Sequence, residues 1–343
     1  MSESSGHVDD AAGGSRRSRS LTGELIRQRL GCPSATAALR LPGLQVWCGA
    51  MVRDADGLCH LLLSYWPAAK GHRAWVTHSR IGHAVGTAPL GPMRFTGLAL
   101  GGAGGNAWDA DVTHNPALLE ANGRYYLYYT GNRGDGTFWD HRNRQRIGVA
   151  VANHPAGPWR REAGPLLDVT PGAWDGLLVS NPSVTAMPDG RFCMIYKGVS
   201  EDANDPRGGP LLLGVAFGDH PLGPFEKHGE PVITAGSAHH AVEDPVVWFE
   251  GDRLWCILKD FEGYYADHRT NALVLFESRD GVDWSPSADP LVTGPEIEWD
   301  DGRHQKLCRM VRALLVFEDS NPAVLLVACA TDADNRDVFN LRL

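Results

Sequence analysis

Short apolar runs separated by turn chemistry fill the chain from about residue 44 onward. Tyr125–Thr130, Arg191–Lys197 and Arg253–Asp260 are rich in the aromatic and branched side chains that suit a pleated, half-buried surface. Each follows a tight turn, Asn122-Gly123, Asp189-Gly190 or Gly251-Asp252, whose residues tolerate the positive φ of a hairpin. Ahead of each turn stands another apolar run, opened by His114-Asn115-Pro116, Ser180-Asn181-Pro182 or Glu243-Asp244-Pro245. The pattern predicts strand, hairpin, strand, repeated along the chain.

The spacing of these units decides the architecture. Gly82, Gly148 and Gly214 lie 66 residues apart, as do Gly91, Gly157 and Gly223. The first set sits in third strands such as Ile147-Gly148-Val149-Ala150, and the second opens a Gly-Pro turn before a fourth strand. A fixed period of this kind marks a repeat architecture, and four strands repeated radially make a propeller blade. Units start near residues 44, 111, 177, 241 and 305. The predicted fold is therefore all-β, a five-bladed β-propeller with four-stranded antiparallel blades, as a single domain over 41–343. The fifth unit is short, and a strand around Leu41–Val46 is expected to close it. Residues 1–40 are expected to be a flexible tail, with a short helix in Leu21–Leu30.

Superposing the repeats places Gly49, Asn115, Asn181, Asp244 and Arg309 at one position, preceded by Cys48, His114, Ser180, Glu243 and Cys308. In a propeller these residues open the innermost strands and ring a central funnel. Two amides, a carboxylate and a guanidinium would converge there, either to hold a ligand or to satisfy one another as buried polar groups must. Upstream, Trp108-Asp109 and Trp174-Asp175 recur at matching intervals. Each indole either stacks on a ligand ring beside its carboxylate or packs between blades. Trp75 and Trp139 do not repeat and are candidate cavity walls. Long polar loops such as Asp260–Arg269 are placed to carry function, and Lys197 and Lys259 end equivalent second strands.

Net charge is −9, which argues against nucleic acid or an anionic membrane as partner. Seven dispersed cysteines without a CxxC pair read as reduced core residues. No apolar segment follows the Arg16-Arg17 pair, so a cytoplasmic location is expected.

The combination of His114-Asn115-Pro116, Gly123-Arg-Tyr-Tyr-Leu-Tyr-Tyr-Thr-Gly131, Ile147-Gly-Val-Ala with Gly157-Pro-Trp, Asn181-Pro with Tyr196-Lys197-Gly198, and Glu243-Asp-Pro resembles the five-bladed propeller glycosidases around glycoside hydrolase family 43. The resemblance covers about residues 44 to 340. It implies hydrolysis of a small oligosaccharide or glycoside in the funnel. It also implies an Asp base, a pKa-tuning Asp and a Glu acid in the first three blades. Gly49, Asn115 and Asn181 stand at those places instead, so the usual trio does not carry over.

Glycoside hydrolysis needs one carboxyl to protonate the leaving oxygen and another to activate water or attack carbon. Asp244 or Glu243 is the expected first partner, with Asp111 or Asp109 as the second. His114 is an alternative proton donor. Adjacent strand residues face opposite ways, so Glu243 and Asp244 share the funnel only where the strand is irregular. Asn115, Asn181 and Arg309 are expected to hold sugar hydroxyls or a carboxylate substituent, with Trp108, Asp109, Asp175, Lys197 and Asp260 as further binding candidates. No cofactor is required, although His114 and Asp244 leave room for a central divalent cation. The alternatives are a lyase, isomerase or transglycosidase on the same scaffold, and a sugar-binding propeller without catalysis.

Overall fold

The computed structural model describes residues 21–234, 242–318 and 321–343. The expected disorder of the first twenty residues, and the start of the fourth unit at 241, lie outside the described residues. Five four-stranded antiparallel sheets form the blades of the predicted propeller. In blade two the strands are Val112–Ala121, Arg124–Asn132, Arg146–Ala152 and Arg160–Arg161, in that order from the axis outward. Blades one, three and four repeat the order from Leu44–Arg53, Leu178–Ala186 and Val242–Glu250.

Blade five is closed by the N-terminal end of the chain, but not by the expected segment. Its inner strands Arg309–Glu318, Asn321–Ala330 and Val338–Arg342 are completed by Ala38–Leu39, paired with Leu341 and Asn340. A turn at Gly43 (φ 74°) then separates this strand from Leu44. Leu44–Val46 consequently begins the inner strand of blade one. The short helix is Gly23–Arg27. It buries Ile26 in the core shared by blades four and five and ties Arg27 to Asp289 at 2.7 Å.

The glycines of the first repeated set, Gly82, Gly148 and Gly214, exist because aromatic rings lie on them. A Cβ on Gly148 would stand 2.6 Å from Trp108 Cζ2 and 2.7 Å from Tyr129 Cζ. On Gly214 it would stand 2.6 Å from Trp174 and 2.9 Å from Tyr196. In blade one Phe95 and Tyr65 press on Gly82 in the same way. Trp108 stacks on Tyr129 and Trp174 on Tyr196, with ring centroids 5.9 and 5.7 Å apart. Five of the seven cysteines are buried, and Cys32 and Cys308 are exposed. Among the described residues, no helix is long and apolar enough to cross a membrane.

Candidate active site in the axial funnel

Each inner strand is kinked where it enters the funnel. The pairing register slips between His114 and Ala117, Ser180 and Ser183, Glu243 and Val246, and Val311 and Leu314. At these bulges Asn115, Asn181, Asp244 and Arg312 take φ of 50–57°. Asn and Asp tolerate this left-handed region better than other side chains, and a bulge re-aims the side chain that follows it. The repeated Asn-Pro and Asp-Pro dipeptides therefore encode an inward turn toward the axis.

Two of the five superposed positions move. In blade five the kink falls at Arg312 rather than Arg309, because a hairpin, Glu296–Glu298 with His304–Lys306, lengthens the preceding connection. In blade one it falls at Trp47-Cys48, between Val46 and Gly49.

The side chains so aimed form a chain across the axis. Cys48 Sγ donates to Asn115 Oδ1 (3.0 Å), Asn115 Nδ2 to Asn181 Oδ1 (2.6 Å), and Asn181 Nδ2 to Asp244 Oδ1 (2.6 Å). Arg312 reaches beneath them from blade five and donates to the carbonyls of Asn115 (3.2 Å) and Pro182 (3.3 Å). Its Nη1 lies 3.9 Å from Asp244 Oδ1. A guanidinium thus supplies positive charge on the axis.

Above this floor opens a cavity of about 180 Å³, lined by Trp47, His72, Trp75, His114, Asn115, Asn181, Lys197, Glu243, Asp244, Phe261 and Arg309. The bulge lets Glu243 and Asp244 share it despite being adjacent. Lys197 Nζ pairs with Glu243 Oε1 at 2.6 Å. Burial, reinforced by the Glu243 charge and opposed by Arg312, pushes Asp244 up to about 6. Lys259, fully buried and bonded to the Met310 carbonyl at 3.0 Å, is pushed down to about 8 by its burial. Burial holds His114 well below its ordinary value. Its Nδ1 is bonded to Ser79 Oγ (2.7 Å) and its ring stacks on Trp75 at 5.1 Å. Held neutral, this imidazole has no acidic proton to give as the proposed alternative donor.

The remaining candidates lie outside the cavity lining. Asp109 is buried and taken up by Arg161 (2.5 Å) and the Tyr129 hydroxyl (2.8 Å). Asp175 plays the same part with Lys227 (2.6 Å) and Tyr196 (3.1 Å). Trp108 belongs with its Tyr129 stack, and Asp111 accepts the Gly134 amide at 3.0 Å. Asp260 caps its own loop, accepting the amides of Gly263, Tyr264 and Tyr265. Of the two unrepeated tryptophans, Trp75 lines the cavity, while Trp139 packs edge-on against Phe138 at 5.0 Å. Sequence reasoning missed Trp47 and Phe261, neither of which repeats. A larger open cleft of about 590 Å³ lies beside Trp108, but Arg144 and Arg146 there are paired with Asp140 and Asp168. It reads as a solvated groove.

Asp54, His60 and His154, at the face opposite the funnel, hold ligand-type atoms within 4.8 Å of one another. His60 Nε2 stands 2.8 Å from Asp54 Oδ2. His154 Nδ1 accepts the Ala156 amide at 3.1 Å, so the neutral ring carries its proton on Nε2, the nitrogen facing Asp54. This is the wiring of a carboxylate–imidazole clasp between blades one and two, not of a metal ligand, which needs a lone pair there.

No family model matches the chain. Over 165 residues, 44% of its length, it is 29% identical to extracellular endo-α-(1→5)-L-arabinanase 2 of Bacillus subtilis (strain 168). The chain spans only 30% of that relative. Among solved structures it is similar to a glycoside hydrolase at 16% identity (93% of this protein and 94% of that one, TM-score 0.69). A family 117 glycoside hydrolase of the marine bacterium Zobellia galactanivorans matches at 16% identity (91% and 88%, TM-score 0.63). The α-L-arabinanase of Cellvibrio cellulosa complexed with arabinohexaose matches at 17% (87% and 91%, TM-score 0.56). These likenesses establish the fold, and the resemblance to five-bladed propeller glycosidases is borne out at that level.

Proposed function

We propose that the protein is a glycoside hydrolase that takes a small glycoside or oligosaccharide end into the axial cavity. The observation that carries this reading is the pair Glu243 and Asp244, two adjacent carboxyls brought into one cavity with different partners, Lys197 at one and Asn181 at the other. Lys197 Nζ, 2.6 Å from Glu243 Oε1, holds that carboxyl in the cavity, placed to activate water or attack carbon. Asp244, pushed up to about 6, keeps a proton to the edge of neutrality, as a general acid requires. Trp47, Trp75 and Phe261 offer flat apolar faces to sugar C–H bonds, and Asn115 and Asn181 offer amides to hydroxyls. His114, held neutral by its burial, suits hydrogen bonding to a hydroxyl rather than proton transfer. The glycosidases and arabinanases of like fold support the reaction class.

The test is incubation of wild type, Glu243→Gln and Asp244→Asn with aryl pentosides, hexosides and oligosaccharides, followed by mass spectrometry. Sugar release by wild type and its loss in both folded variants is the expected outcome. Undiminished release by both variants would remove the assignment. Binding without release by wild type would leave a sugar-binding propeller.

A further inference from the structure

The cavity carries an excess of positive charge that a neutral sugar does not use. Lys197 and Arg309 line it, and Lys259 and Arg312 lie buried beneath. Against these four cations stand two carboxyls, Glu243 and Asp244, in a chain whose overall charge is −9. Lys197 is committed to Glu243, Arg312 through Nη2 to the axial carbonyls with its buried Nη1 facing Asp244 at 3.9 Å, and Lys259 to the Met310 carbonyl. Arg309 is different. Its Nε donates to Asn335 Oδ1 at 2.7 Å, and among the described residues its terminal nitrogens have no partner.

That single bond is part of a built support. Asn335 is buried with φ 53°, and its carbonyl accepts Gln45 Nε2 at 2.8 Å. Gln45 Oε1 in turn accepts from His72 Nδ1 at 3.1 Å. The His72 ring lies against Trp47, 5.0 Å between centroids. A continuous hydrogen-bonded path thus runs from the aromatic wall to the Arg309 guanidinium, holding it at Nε while the side chain, itself exposed, lines the mouth of the cavity with its two terminal nitrogens unpartnered among the described residues. A guanidinium presented in this manner matches a carboxylate with two parallel bonds, and an orientation fixed beforehand lowers the ordering cost of binding. Positive charge focused in a concave site also raises the local concentration of anions.

Resting on the glycosidase reading of the same cavity, we propose that its substrate is an acidic sugar, a glycosiduronate whose carboxylate is clamped by Arg309. Lys197 shields Glu243 from that carboxylate, and Arg312 does the same for Asp244.

The test is isothermal titration of wild type, Arg309→Ala and Arg309→Lys with D-galacturonate, D-glucuronate, D-galactose and D-glucose. Turnover of aryl glycuronides and neutral aryl glycosides is measured alongside, and circular dichroism confirms folding. A uronate is expected to bind on the order of tenfold or more tighter than its neutral counterpart. Salt weakens that preference, Arg309→Ala abolishes it, and Arg309→Lys restores it in part. Equal binding of neutral sugars and uronates, or equal losses of both in Arg309→Ala, would overturn the proposal. Release from neutral glycosides without a uronate preference overturns the charge selection and leaves the glycosidase reading standing. Tight uronate binding without release from any glycuronide does the reverse. Binding of neither class overturns both.

Discussion

Two features of this chain recur from blade to blade and are used in opposite ways. The Trp-Asp pairs repeat with their chemistry unchanged: Trp108 and Trp174 lie on Tyr129 and Tyr196, and Asp109 and Asp175 each bind that tyrosine's hydroxyl and a cation. The axial position repeats only its backbone. Its kink returns in successive blades while its side chain changes from Asn115 and Asn181 to Asp244 and Arg312. Constancy of side chain accompanies a packing task that is the same in blades two and three. Constancy of backbone with changing side chains accompanies a cavity whose walls must differ around one asymmetric ligand.

That contrast breaks most cleanly through Glu243. Glu243→Gln removes a charge from the cavity but leaves an oxygen for Lys197, and is expected to lower kcat about 10²–10⁴-fold with a smaller loss of Tm than Asp109→Ala. An equal fall in both would place Glu243 with the structural set. Asp109→Ala should behave in the opposite sense. It strands Arg161 and the Tyr129 hydroxyl, and loss of one partner of a buried ion pair costs about 3 kcal/mol or more. Urea denaturation would read that loss, with kcat per folded molecule unchanged. Gly214→Ala tests the same layer more gently. Its Cβ meets Trp174 and Tyr196 under 3 Å, and overpacking of this kind costs about 1–3 kcal/mol. A variant as stable as wild type would show that the stacked rings have room to shift.

Blade count and boundaries were legible because Gly82, Gly148 and Gly214 answer to rings pressed against them, so their spacing is the blade spacing. The inward kinks were legible through Asn-Pro and Asp-Pro, and so were the cavity residues His114, Asn115, Asn181, Lys197, Glu243 and Asp244. Blade five was misread by three residues because a step of fixed length ignores the hairpin inserted at Glu296–Lys306. Ala38–Leu39 is too short to stand out as a strand at all. Asp260 looks in sequence like any loop carboxylate, and the recurrence of Asp109 beside Trp108 leaves its partner unnamed. Only the fold shows that one caps a turn and the other meets an arginine from a strand 52 residues away. Trp47 and Phe261 come from different blades without repeated partners, so no periodic signal marks them as one wall.

The smallest expected effect separates the two uses within a single residue. Asp244 binds its proton more tightly in the fold, at about 6, than an unfolded aspartate does, at about 3.9. Between these values the native state holds more protons than the unfolded one, so this group's contribution to stability falls as pH rises. Above pH 6 its buried charge is a net burden on the fold. Asp244→Asn keeps an oxygen for the Asn181 amide while removing that charge. The variant is therefore expected to melt slightly above wild type at pH 8, with the gap narrowing as pH is lowered toward 4, while activity is lost throughout. Thermal melts across that range check it. A variant less stable than wild type at pH 8 would mean that Arg312 and Lys259 need the carboxylate, and that the axial charge belongs to the structure as much as to the site.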